Sequence, residues 1–210
     1  AGLSGHESPI REIIAKAWEP LTDELTVSKL GSLHGLKRGS GDETRHRVLI
    51  SAHMDAIGMM VTDIKDGLLR VTEIGGIDHR ILPGQLVTVH GREPLSGVII
   101  QPPGYLLPES VGDGPVEMQY LFVDPGLRPE EVPQKVRVGD LVSYAQTPLE
   151  LTGEAMAGHT LDNRVSVAAT TLCLEALQSR SHEWDVWAVA SVQEEETLGG
   201  AFTSPFDIRP

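Results

Sequence analysis

Cysteine is nearly missing from this sequence, Cys173 being the only one in 210 residues. A single thiol excludes an internal disulfide and fits a reducing compartment, and its place in an apolar helical pattern predicts a buried, structural role. Long hydrophobic runs are missing too: none approaches the length of a bilayer-spanning helix, and the N-terminus lacks the charged-then-apolar layout of a secretory signal. Positive charge is scarce, with 17 Lys and Arg against 30 Asp and Glu for a formal charge of −13. That balance argues against nucleic acid or an anionic membrane as the main partner. Internal repeats and low-complexity tracts do not occur. What remains reads as a soluble, cytoplasmic globular chain, 40% hydrophobic, whose 22 Gly and 14 Pro predict many turns. Ala1 and Asp207-Ile-Arg-Pro210 both look like cuts, the second leaving a sheet edge without its next strand.

Ser8-Pro9, followed by Ile10, Ile13, Ile14 and Ala17, predicts a surface helix with Ser8 as N-cap and proline at its first position. Short β-type runs follow at 25–27, 32–36 and 47–52, separated by Gly31 and the Gly39-Ser-Gly41 turn. From about Thr62 to Pro148 helical periodicity disappears and short strands alternate with Gly, Pro and Asp turns, as at 68–72, 85–89, 96–100 and 140–143. This density predicts a small antiparallel barrel or sandwich spanning 62–148, inserted into an α/β domain made of 1–61 and 149–210. Helical pattern resumes at Asp162, with Val165, Ala168, Ala169, Leu172 and Ala176 forming the expected buried face.

Two strands carry polar groups at their carboxyl ends. Val48 to Ala52 delivers His53 and Asp55, and the apolar run Val186 to Val192 leads straight into Gln193-Glu194-Glu195-Glu196. Asp162 stands at a helix start. Open α/β sheets collect ligands at these places. Each group alone has an ordinary explanation: a hydrogen-bonded His-Asp pair, an N-cap at Asp162, a solvated acidic turn. Together they match the needs of a two-metal hydrolase, in which imidazole and carboxylates hold the ions, a water is made acidic enough to attack, and a free carboxylate carries the proton.

The segments Ser4-Gly5, Ser51 to Gly58, Ile74 to Asp78, Leu161 to Val165, Val192 to Glu195 and Gly200-Ala201, in that order, resemble the glutamyl and deblocking aminopeptidases. That resemblance implies a three-layer α/β/α metallopeptidase (phosphorylase/hydrolase-like) domain interrupted by a β-rich barrel-like dimerisation domain. Members of the family use cobalt or zinc, build tetrahedral dodecamers, and in some cases carry an endoglucanase label. By position, His53 is similar to the histidine ligand of one metal, Asp162 to the bridging carboxylate, Glu195 to a terminal ligand of the other metal, Glu194 to the general base and Asp55 to the residue orienting His53. A cis peptide bond at Asp162-Asn163 is also implied. Thr197 and His159 depart from the family pattern. Two further ligands that the family supplies, an aspartate and a late histidine, are not found in these 210 residues, and His159, His79 and Asp207 are weak substitutes.

The function these expectations describe is a metal-dependent aminopeptidase acting on peptides with two divalent ions, Zn or Co or else Mn, and Glu194 as base. Self-association as a dimer or dodecamer is implied through the inserted domain. The 210-residue chain alone is expected to be inactive for want of ligands. The alternatives are a related deacylase or carboxypeptidase on the same scaffold, and a non-catalytic assembly module.

Overall fold

The computed structural model describes residues 2–42, 45–111 and 114–210, apart from the side chain of Ser110. Chain order begins with α1 (Ser8–Trp18), β1 (Glu24–Val27), β2 (Leu33–Lys37) and β3 (Arg47–His53). Then come β4 (Gly58–Lys65), β5 (Leu68–Ile74), β6 (Leu86–His90), β7 (Pro94–Ile100), β8 (Phe122–Asp124), α2 (Val132–Lys135) and β9 (Leu141–Tyr144). The remainder is β10 (Leu149–Leu151), β11 (Ala155–Ala157), α3 (Leu161–Leu177), β12 (Asp185–Ser191), α4 (Glu194–Thr197) and α5 (Gly199–Ile208). Contacts divide the chain into two compact units, one of residues 57–159 and one of 2–56 with 160–210. This division lies a few residues outside the turn-rich stretch, because β4 already starts at Gly58 and the β10–β11 hairpin packs with the contiguous unit.

The discontinuous unit is built on a four-stranded sheet in the order β1-β2-β12-β3. Only β12 and β3 run parallel, and their register sets Ser191 beside His53. Ile14, Trp18, Leu33, Ala52, Met54, Val167, Leu174, Ala188, Ala190 and Val192 form its core, so α1 and α3 cover one face. Side chains alternate across a strand, and His34, facing the other way from Leu33, meets Ser204 of α5 at 2.8 Å. Helices therefore lie on both faces, giving the three-layer α/β/α architecture.

The contiguous unit is a closed barrel in the order β4-β5-β8-β7-β6-β9, in which closure removes exposed strand edges. Its interior is filled by alternate residues of the strands, including Met59, Val61, Leu69, Val87, Val89, Ile99, Val123 and Val142. Asp66 and Gly67, both at positive φ, make the tight turn between β4 and β5.

Three local expectations are corrected. Ser8 is the first residue of α1 and does not cap it; Glu7 holds the cap position, without a capping side-chain bond. The buried stripe of α3 is Val167, Thr170 and Leu174, whereas Val165 and Leu172 are exposed. Apolar residues lie all round this helix, and Thr170 is tolerated in the core because its hydroxyl donates to the Ser166 carbonyl at 2.9 Å. Cys173, off that stripe, is exposed.

Candidate metal centre

Because β3 and β12 are parallel neighbours, their carboxyl ends open at the same edge of the sheet. Met54 N–H donates to the Ser191 carbonyl at 2.9 Å, tying the two strand exits together. His53 ends β3 and is almost fully buried. Its Nδ1 lies 3.4 Å from Asp55 Oδ1 and 3.3 Å from the Asp55 carbonyl oxygen. Its Nε2 lies 3.1 Å from Asp162 Oδ1 and 3.4 Å from Glu194 Oε2.

Asp55 is wholly buried, and each of its oxygens is used. Ser4 Oγ donates to Oδ2 at 2.5 Å, Glu195 N–H donates to the same oxygen at 3.2 Å, and Glu194 N–H donates to Oδ1 at 3.2 Å. Burial pushes its carboxyl up, but the hydrogen bonds from His53, Ser4 and the two backbone amides outweigh that and hold it below the usual carboxylate range. Burial likewise pulls the His53 imidazole down, and the bonds to Asp55 and Asp162 with the charges of Asp55 and Glu194 overcome it, raising the pKa to about 9. Glu195 moves the other way: burial first, then the neighbouring acids Glu194, Asp162 and Asp55, push it up against the opposing charge of His53.

Asp162 enters from the start of α3, where it and Asn163 leave helical geometry and the peptide bond joining them is cis. Unlike His53, it is 84% exposed on its side chain, so the centre opens to solvent on that side. Ligand atoms of His53, Asp162 and Glu195 all lie within 4.8 Å of one another, the one such group among the described residues. An imidazole and two carboxylates suit a divalent ion of intermediate softness. The same negative surroundings that stabilise a proton on His53 would stabilise a cation in its place. His79, which faces Glu73 at 3.1 Å, His159 and Asp207 do not belong to the group.

All five residues expected at the site, His53, Asp55, Asp162, Glu194 and Glu195, thus meet in one unit. Three others lay outside the expectation. Ser4 belongs to a recognisable segment but carried no role, Glu7 accepts from the Gln193 amide at 3.0 Å, and Arg164 donates from Nε to the Met54 carbonyl at 3.0 Å and from Nη2 to the Gly2 carbonyl at 3.0 Å. Their partners are backbone or buried atoms far away in sequence, and a single sequence has no local signal for such pairs.

The family model for M42 glutamyl aminopeptidase matches residues 31–210. A lysyl aminopeptidase of Pyrococcus furiosus is 34% identical over 217 residues, covering 100% of this chain and 60% of its own length. Among solved structures, an aminopeptidase from the archaeon Desulfurococcus kamchatkensis superposes with a TM-score of 0.88 at 34% identity, over 99% of this chain and 57% of that one. A TET1 peptidase of Pyrococcus horikoshii, described as assembling into a tetrahedron or a large octahedral shell, gives 0.84 at 31% identity over 97% and 61%. The chain spans about 60% of the length of the curated relatives it matches. By the family match across residues 31–210, and by these relatives, the chain belongs to the M42 glutamyl aminopeptidase family.

Proposed function

We propose that the whole protein is a metal-dependent aminopeptidase that removes the N-terminal residue from peptides, and that this chain carries much of its reaction centre. The observation that carries the reading is the convergence of His53, Asp162 and Glu195 within 4.8 Å, with Glu194 3.4 Å from the same imidazole, at the ends of two parallel strands. His53, Asp162 and Glu195 would hold the divalent ions, two of Zn, Co or Mn. Such ions supply a polarised substrate carbonyl and a water acidic enough to attack at neutral pH. Glu194 takes the proton from the attacking water and returns it to the departing amine. Asp55 holds the His53 ring through Nδ1, leaving Nε2 to face the centre.

The donor group has three members among the described residues, whereas the resemblance calls for five. The 210-residue chain alone is therefore proposed to hold ions weakly and to turn over little. Self-association is proposed through the barrel unit, where Tyr105 and Leu106 are exposed; the related TET1 peptidase that assembles into shells supports it. A reducing, cytoplasmic setting fits the single cysteine. Among the described residues no helix is long and apolar enough to cross a membrane.

The deciding experiment compares release from aminoacyl-p-nitroanilides with release from N-acyl amino acids, with and without chelator. Chelator-sensitive cleavage of the aminoacyl substrates is expected. Cleavage of the N-acyl substrates alone would make the protein a deacylase on the same scaffold.

A further inference from the structure

The turn that carries Glu194 and Glu195 has an unusual support. Its first residue, Gln193, sits at φ 55 and ψ 35, a left-handed conformation that residues other than glycine rarely adopt. Three successive backbone N–H groups, of Gln193, Glu194 and Glu195, point to side-chain carboxyls brought from elsewhere. Asp55 takes the last two. The first is taken by Glu7 Oε1 at 3.0 Å, and the same oxygen accepts the Gly5 amide at 2.8 Å. Glu7 is only 6% exposed although it is charged by type and stands at the entry to a surface helix. A buried acid there has no capping bond to explain it. Its two contacts instead join the N-terminal loop to the turn of the metal centre. The same loop sends Ser4 to Asp55, so two adjacent residues, Ser4 and Gly5, brace the two carboxyls on which the turn rests.

Resting on the role proposed above for Glu194 and Glu195, we infer that Glu7 is a positioning residue for the reaction centre: it holds Gln193 in its left-handed conformation and thereby aims both glutamates. The hydrogen bonds of Glu7 go to the Gly5 and Gln193 amides, so its effect passes through the Gln193 amide. The amide oxygen of glutamine can accept the same two N–H bonds, whereas alanine and leucine cannot, and leucine keeps the buried volume.

The test uses the 210-residue chain with Glu7→Gln, Glu7→Ala and Glu7→Leu, read by hydrogen exchange at the Gln193 amide and by calorimetric titration with Zn2+ alone. Outer partners of metal ligands commonly change affinity by 10–100-fold, so Ala and Leu are expected to weaken Zn2+ by about tenfold and to speed Gln193 exchange by a similar factor, while Gln stays within about threefold of the unaltered chain. Unchanged exchange and affinity in folded Ala or Leu variants would overturn the inference. Should neither fold, Gln193→Gly decides, because glycine takes the left-handed conformation freely: Glu7→Leu in that background is expected to fold, and persistent loss of fold would overturn the assignment. If the unaltered chain takes up no Zn2+, the titration moves to the whole protein, where lack of uptake would sink the metal reading, while the exchange measurement on the chain still decides whether Glu7 holds the turn.

Discussion

Asp55 accepts the backbone N–H of Glu194 at 3.2 Å from a position at which it is entirely buried. The same carboxyl faces His53 Nδ1 and the Glu195 amide, so one acid orders the imidazole at the end of β3 and the turn after β12 together. Replacing Asp55 with alanine would free the imidazole and leave two amides unpaired. The expected result is a 10–100-fold loss of Zn2+ affinity, read by calorimetry.

Glu194 stands apart from the three-member donor group yet within reach of the His53 Nε2 face. In the whole protein, Glu194→Gln should keep the bound ions and lower turnover of an aminoacyl-p-nitroanilide by about 10²–10⁴-fold, the usual worth of a positioned base. Metal analysis alongside the rate separates loss of the base from loss of the ions. A near-normal rate would remove Glu194 from proton transfer.

Gly200 allows α5 to press against the end of β12. A Cβ there would meet Val192 N at 2.5 Å and Val192 O at 2.6 Å, backbone atoms that cannot swing aside. Gly200→Ala should destabilise by about 1–3 kcal/mol, the range for an overpacked site. Urea unfolding checks this, and a neutral result would mean that the helix has room to shift.

Acid should weaken this unit partly through Asp185, at the start of β12. Burial pushes its carboxyl up, but Arg45 Nε at 2.5 Å, the Gly39 amide at 2.9 Å and the charges of Arg45 and Arg38 hold it below the usual range. A carboxyl depressed in the folded state contributes stability above the unfolded value of about 3.9, and the contribution is lost as pH falls through the folded value. Asp185→Asn should therefore lower stability at pH 6 and flatten its acid dependence below about pH 4, as measured by urea melts at several pH values. An unaltered slope would show that the pair contributes nothing.

Much of the architecture was legible from pattern. Alternation and turn residues mark β5, β6, β7 and β9 in the sequence, because a strand with one buried face must alternate. The apolar run ending in Gln193-Glu194-Glu195 reads as a buried strand for a related reason: β12 is covered on both faces. The helix α3 was less legible. Apolar residues on several sides leave its periodicity ambiguous, so Cys173 and Leu172 face solvent against expectation.

For the site, the sequence alone determined where donor side chains stand at strand ends and a helix start: His53, Asp55, Asp162, Glu194 and Glu195. Only the tertiary structure decided how they are held. The parallel register of β3 and β12 puts Ser191 beside His53, and the N-terminal loop brings Ser4 to Asp55 and Glu7 to Gln193. These are pairings between residues more than fifty positions apart. Local pattern records which face of a strand or helix is apolar, but a hydrogen bond to a distant backbone amide leaves no periodicity behind, so it becomes visible only when the chain has folded around it.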